Sequence, residues 1–158
     1  QLAVNANGPP QRFDFLQLPV LADTVDGFVG PLAGVLAGMR WAQSLTGVSH
    51  VVSAAADTPF IPGNLVHRLQ AAIDGPDDIA MAFSVGRIHP VFGLWPVHLA
   101  DDLETFLVQE DKRKILEFAH RYTLHSVDFD KAGEDPFFNI NTPEDMAIAR
   151  ARAGDGAT

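Results

Sequence analysis

Three short polar stretches of the chain sit where apolar runs end, and their residue types suit one kind of chemistry. "LAVNAN" carries Asn5, just ahead of Asn7; "LPVLAD" ends on Asp23; "VVSAAADTPFIP" places Asp57 between an apolar run and a proline-framed turn. Two carboxylates and two amides are hard oxygen donors. Mg²⁺ prefers such donors and keeps several waters, so one or two carboxylates plus substrate phosphates suffice to hold it. Gathered on one sheet edge, the set suits a nucleotide and a divalent cation. Taken singly, each residue reads as well as a turn former, because Asp and Asn side chains bond nearby backbone amides.

The elements around these residues decide whether they meet. Leu2–Asn5, Val20–Ala22, Val51–Ala56, Ile79–Val85, Val91–Trp95 and Leu124–Phe129 read as strands. Between them lie runs with apolar residues at helical spacing. Pro31–Leu45 has Leu32, Val35, Leu36, Met39 and Ala42 on one face, and Pro31 suits a first helical turn. Further helices are marked by Leu65 to Ile73, Leu99 to Leu107 and Ile115 to Tyr122. The last follows "NTPED", with Thr142 as N-cap, Pro143 at N1 and Asp145 at N3, and it gives way to a disordered tail over residues 154–158. Strands alternating with helices predict an α/β domain: a three-layer α/β/α sandwich on a mainly parallel sheet, with right-handed crossovers. Ligands of such sheets gather beyond the carboxyl ends of the strands. Asn5, Asp23 and Asp57 should therefore share one edge.

The totals narrow the function classes. The 158 residues suit one domain, and 47% apolar composition supports a packed core. A net charge of −9 argues against non-specific nucleic-acid binding. With no cysteine, disulfides and thiol catalysis are absent, which fits a cytoplasmic protein. The longest apolar stretch, "FVGPLAGVLAG", is too short for a membrane span and is broken by Gly and Pro.

Five stretches occur in one order with compatible spacing: "LAVNAN", "VLADTVDGFVGPLAG", "VVSAAADTPFIP", "HPVFGLW" and "FFNINTPED". Together they resemble the molybdenum cofactor guanylyltransferases, within the molybdopterin nucleotidyltransferase family, from Leu2 to about Ala153. The resemblance implies a Rossmann-like fold and transfer of GMP from GTP to the phosphate of the molybdenum–pterin cofactor, with Mg²⁺ as cofactor and pyrophosphate as leaving group. It implies Asp57 as Mg²⁺ ligand and catalytic residue. Asn5 and Asp23 would contact the guanine nucleotide, and Gly30, Pro31 and Leu32 of "GPLAG" would bring backbone close to it. Asn139 and Asn141 would lie on the pterin or metal side, and His89 on the cofactor side. Lys112 and Arg113 of "EDKRK" read either as a solvated face or as contacts for pterin phosphate or pyrophosphate, since both residue types pair strongly with phosphate. Proteins that deliver or receive the cofactor are the implied partners. The chemistry needs no nucleophilic side chain, because a cation and good positioning serve attack on an α-phosphate.

One part of the pattern is missing. The family's Gly-rich nucleotide loop would precede "LAVNAN", and these residues contain no such loop. The expectation is a single nucleotidyltransferase domain over residues 1–153 without its first strand–loop–helix. The 158-residue chain alone is then expected to be inactive and poorly stable. Two alternatives stay open: a cytidylyltransferase for the same cofactor, and a non-catalytic relative that binds it.

Overall fold

The computed structural model describes residues 1–25, 27, 30–131 and 134–155. Asp26, Phe28 and Val29, within the "VLADTVDGFVGPLAG" stretch, lie outside the described residues, as do residues 156–158 of the expected tail. Strand β1 (Val4–Asn5) pairs in parallel with β2 (Val20–Leu21), and a 3-10 helix over Pro10–Leu16 lies between them in the chain. Helix α1 (Pro31–Gln43) leads to β3 (His50–Ser53), α2 (Leu65–Gln70) to β4 (Ile79–Ser84), and a tight hairpin to β5 (Arg87–Pro96). A 3-10 turn at Val97–Leu99, α3 (Ala100–Val108) and α4 (Ile115–Ala119) precede β6 (Leu124–Asp128). Helix α5 (Pro143–Asp155) follows.

The main sheet has the order β3-β5-β4-β6. β5 is antiparallel to both β3 and β4, whereas β6 is parallel to β4. The α/β class is as expected, with one refinement: the sheet is mixed, because β5 returns between β3 and β4. The cause is a two-residue turn, Val85 and Gly86 at φ 50° and 71°, which pairs Ser84 directly with Arg87. Such left-handed pairs match the twist of a hairpin. A valine there hides the turn from sequence reading, since β-branched residues rarely adopt positive φ. Hence β5 begins at Arg87 rather than at the expected Val91. Its pairing then skips from His89 to Gly93, so that Pro90, which has no N–H to donate, sits in a bulge.

Both faces of this sheet are covered. Ile79, Met81 and Trp95 pack with α1, α3 and α4 on one face; Ala80, Ala82 and Leu94 pack with α2, Phe129 and Phe137 on the other. Alternation along β4 serves both cores, which makes three layers. α1 touches β1, through Gly34 against Asn5, and β3, through Gly38 against Val51. Yet β1 pairs only with β2 and β3 only with β5, so each leaves one edge unpaired among the described residues. At the other end of the chain α5 continues through Gly154 and Asp155, where a tail was expected. Arg152 anchors this last turn by donating to the Asp135 carbonyl and pairing with Glu134.

Candidate functional site

The chain path fixes which strand ends meet. The first turn of α1 lies against Asn5, at the carboxyl end of β1. Its last turn reaches the other end of the sheet: Gln43 contacts the Val97 carbonyl at 3.5 Å, and the Val97 N–H bonds Ser49, just before β3. β3 therefore starts at the far end and runs back along α1, passing Gly38 at Val51. Its carboxyl end returns to the side of Asn5. β4 and β6 run the same way as β3, so Ser84 and Asp128 end on this edge, and β5 begins there. Asn5, Asp23 and Asp57 thus lie toward one edge, as their strand positions suggest.

They form two separate corners. In the first, Asn5 Nδ2 donates to Asp23 Oδ1 at 2.9 Å and to the Leu21 carbonyl at 3.0 Å. Asn7 Nδ2 donates to Asp23 Oδ2 at 2.7 Å, and the Asp23 N–H donates back to Asn7 Oδ1 at 3.0 Å. Two amides hold one carboxylate across the β1–β2 ladder. Beside them Gly30 (φ 74°) turns the chain and Pro31 opens α1. A Cβ on Gly34 would stand 2.4 Å from Asn5 Oδ1, so only glycine lets the helix approach this closely. Pro31 is exposed, whereas the Leu32 side chain is fully buried in the core. Leu32 can offer a ligand only its backbone.

The second corner is built on Asp57. Its side chain is exposed, while the next residue, Thr58, is buried. Thr58 Oγ1 donates to Asn139 Oδ1 at 2.7 Å and lies 3.5 Å from Asp57 Oδ1. One residue on, the Ile140 N–H donates to the Asp57 carbonyl at 2.9 Å. The turn after β3 is therefore tied to the segment before α5. That segment is itself fixed by the expected capping box: Asp145 N–H to Thr142 Oγ1 at 3.1 Å, and Thr142 and Asn141 N–H groups to Asp145 Oδ2 at 2.9 and 3.0 Å. Asn139 and Asn141 are both exposed. The exposed Asp57 carboxylate is a hard oxygen donor, which fits a cation that keeps waters and substrate ligands. No group of three or more His, Asp or Glu suited to enclosing a metal exists among the described residues.

His89 lies deeper on the same edge. It is buried, its ring tilted 40° to that of Phe137 at 4.7 Å, and shares a 2.8 Å hydrogen bond between Nε2 and Ser84 Oγ. Ser84 Oγ also contacts Asp135 Oδ1 at 3.2 Å. A hydroxyl has one hydrogen to give. With that hydrogen on Asp135, His89 donates through Nε2–H. Burial lowers the His89 pKa, against the raising effect of Asp135. Burial disfavours the Asp135 carboxylate, but the Phe137 N–H, the Ser84 hydroxyl, His89 and Arg87 outweigh that and lower its pKa. Serine, histidine and aspartate thus meet without forming a nucleophilic triad, because the aspartate bonds the serine. The group locks the loop that carries Phe137 and Asn139.

Lys112 and Arg113 pair with nearby carboxylates. Lys112 pairs with Glu110 and Glu117 at 3.3 and 2.8 Å, and Arg113 with Asp111 at 3.0 Å. Glu110, held by Arg121 and Lys112, is lowered to a pKa of about 2 and keeps its charge against Lys112. Sequence reading missed Thr58, Ser84 and Asp135. For Asp135 a signal existed: an acid two residues before Phe137, placed to accept that residue's N–H at 2.9 Å.

Residues 1–126 match the model of the MobA-like NTP transferase domain. The chain belongs to this family. It is 54% identical over 152 residues to a molybdenum cofactor guanylyltransferase of Mesorhizobium japonicum, covering 94% of this chain and 73% of that protein. A protein of the same name from Rhodopseudomonas palustris strain BisB5 is 53% identical over 150 residues, with 94% and 71% covered. Among solved structures, the molybdopterin-guanine dinucleotide biosynthesis protein A of Archaeoglobus fulgidus superposes with a TM-score of 0.71 at 23% identity. That match covers 96% of this chain and 77% of the other, and it bears on the fold. Family membership makes the protein a nucleotidyl-type transferase. No helix among the described residues is long and apolar enough to cross a membrane.

Proposed function

We propose that the protein transfers GMP from GTP to the phosphate of the molybdenum–pterin cofactor. A phosphate oxygen of the pterin attacks the α-phosphorus of GTP. The bond between that phosphorus and the α–β bridging oxygen breaks, and pyrophosphate leaves with the electron pair. The product is the guanine dinucleotide form of the cofactor. The observation that carries the reading is the Asp57 corner: an exposed carboxylate beyond β3, braced by Thr58 and the Asn139 segment. It sits in a chain 54% identical to a named guanylyltransferase.

Asp57, with Mg²⁺ as its cofactor, is proposed to face the GTP phosphates. The bound ion would neutralise charge that develops between two anionic reactants. Asp57 would orient that ion, and Asn139 and Asn141 would orient the pterin phosphate from the adjoining segment. Asn5 and Asp23, with the backbone of Gly30, Pro31 and Leu32, would hold the guanine nucleotide at the first corner. His89 keeps the loop that carries Phe137 and Asn139 in place; Lys112 and Arg113 would meet the pyrophosphate or pterin phosphate only by leaving their present carboxylate partners. The relatives extend beyond the part this chain matches. The absence of cysteine fits the cytoplasmic location expected for this biosynthetic step.

The test is a transfer assay on the full-length protein with GTP and CTP side by side. Preferred turnover of GTP supports the proposal. Equal or faster transfer from CTP selects the cytidylyl alternative, and no transfer from either rejects both.

A further inference from the structure

We propose that Thr58 is a positioning residue that makes the Asp57 turn and the Asn139–Asn141 segment one rigid unit. The inference rests on the assignment of these two segments to the metal and to the acceptor phosphate. Three observations lead to it. Thr58 is the one residue of the "DTP" turn withdrawn from solvent, at 3% exposure, between two exposed neighbours. A threonine is not kept there for its volume alone, because its hydroxyl makes a 2.7 Å bond to an amide 81 positions away. That bond and the Ile140 N–H to Asp57 carbonyl bond lie one residue apart on each strand of chain. Two adjacent bonds prevent the hinge that either alone would permit.

The geometry also divides the labour of Asn139. Its Oδ1 is engaged by Thr58, so the Nδ2 group is the part left to donate elsewhere. The Thr58 hydroxyl fixes which way the amide faces. The same hydroxyl stands 3.5 Å from Asp57 Oδ1, too long for a strong bond but close enough to limit the carboxylate's rotation. Behind the unit, Phe137 is fully buried, and the Asp135–Ser84–His89 group holds its backbone. The anchor thus reaches from the turn to the centre of the sheet. Residues that orient a metal ligand or its neighbour typically change affinity or activity by about 10- to 100-fold when removed.

The experiment compares Thr58→Val and Thr58→Ser in the full-length protein. Valine keeps the volume and deletes the donor, and serine keeps the donor. Amide exchange at Ile140, followed by NMR without any ligand, should accelerate at least about tenfold in Thr58→Val and stay near the parent rate in Thr58→Ser. Mn²⁺ affinity in the presence of GTP, read by water proton relaxation, should weaken by about tenfold in the valine variant and recover in the serine variant. Should Thr58→Val not fold, Asn139→Ala removes the acceptor from the other side, and the Ile140 exchange rate is read in the same way. Unchanged Ile140 exchange and Mn²⁺ affinity in a folded Thr58→Val protein overturns the proposal. If Asp57→Asn binds Mn²⁺ as tightly as the parent, the metal assignment fails instead, and the exchange readout still decides the role of Thr58.

Discussion

The two corners of the candidate site are built on different foundations. The Asn5–Asn7–Asp23 corner rests on a two-stranded ladder of two residues per strand, and its polar side chains are largely open to water. The Asp57–Thr58–Asn139 corner rests on a buried hydroxyl, a second backbone bond and the fully buried Phe137. A two-stranded ladder is marginal by itself, whereas a corner backed by a packed core shares the stability of the whole sheet. Hydrogen-bond number is therefore a poor guide to rigidity. The first corner has more side-chain bonds, but its bonds are exposed and so worth little beyond what water offers.

The sharpest way to break the firm corner is to hollow its support. Phe137→Ala should cost about 3–5 kcal/mol of stability, because a fully buried ring leaves a cavity against His89, Phe92 and Phe129. Chemical denaturation read by fluorescence checks this, and a loss under about 1 kcal/mol would mean that the loop collapses onto the gap. Next in size is Asp57→Asn, which should lower Mg²⁺-dependent transfer by about 100-fold or more while thermal unfolding stays unchanged. Near-parent turnover at saturating Mg²⁺ would remove Asp57 from the chemistry.

A smaller effect tests the far edge of the same core. Asp78 accepts the N–H groups of Asp74 and Gly75 and faces His125, and these lower its pKa from 3.8 to about 2. A carboxylate depressed on folding stabilises the protein above its unfolded pKa and loses that contribution as pH falls. Asp78→Asn should therefore unfold at a lower temperature than the parent at pH 7, with the gap closing between about pH 4 and pH 2. A gap independent of pH would place the effect in packing instead. The smallest effect belongs to the open region near the first corner. Phe15, at 79% exposure on the Pro10–Leu16 helix, should tolerate Ala within about 0.5 kcal/mol. A larger loss by denaturation would show that this segment is packed more firmly than the comparison allows.

Sequence alone determined the alternation of elements, the Thr142–Asp145 cap and the strand-end positions of Asn5, Asp23 and Asp57. These are local: apolar periodicity, proline geometry and capping chemistry act over a few residues. The five motifs in order also carried the family. Tertiary structure alone decided the rest. The antiparallel course of β5 hangs on a Val85–Gly86 turn whose conformation a valine disguises. The division of the polar residues into two corners depends on how α1 spans β1 and β3. Thr58 reads in sequence as one residue of a turn, and only folding sets its hydroxyl against Asn139. Asp135 likewise gains its role when the loop before α5 crosses the end of β4 to meet Ser84. The physical reason is common to all of these. A side chain's neighbours within a few residues are fixed by backbone geometry, whereas a partner 51 or 81 positions away is chosen by the packing of the whole sheet.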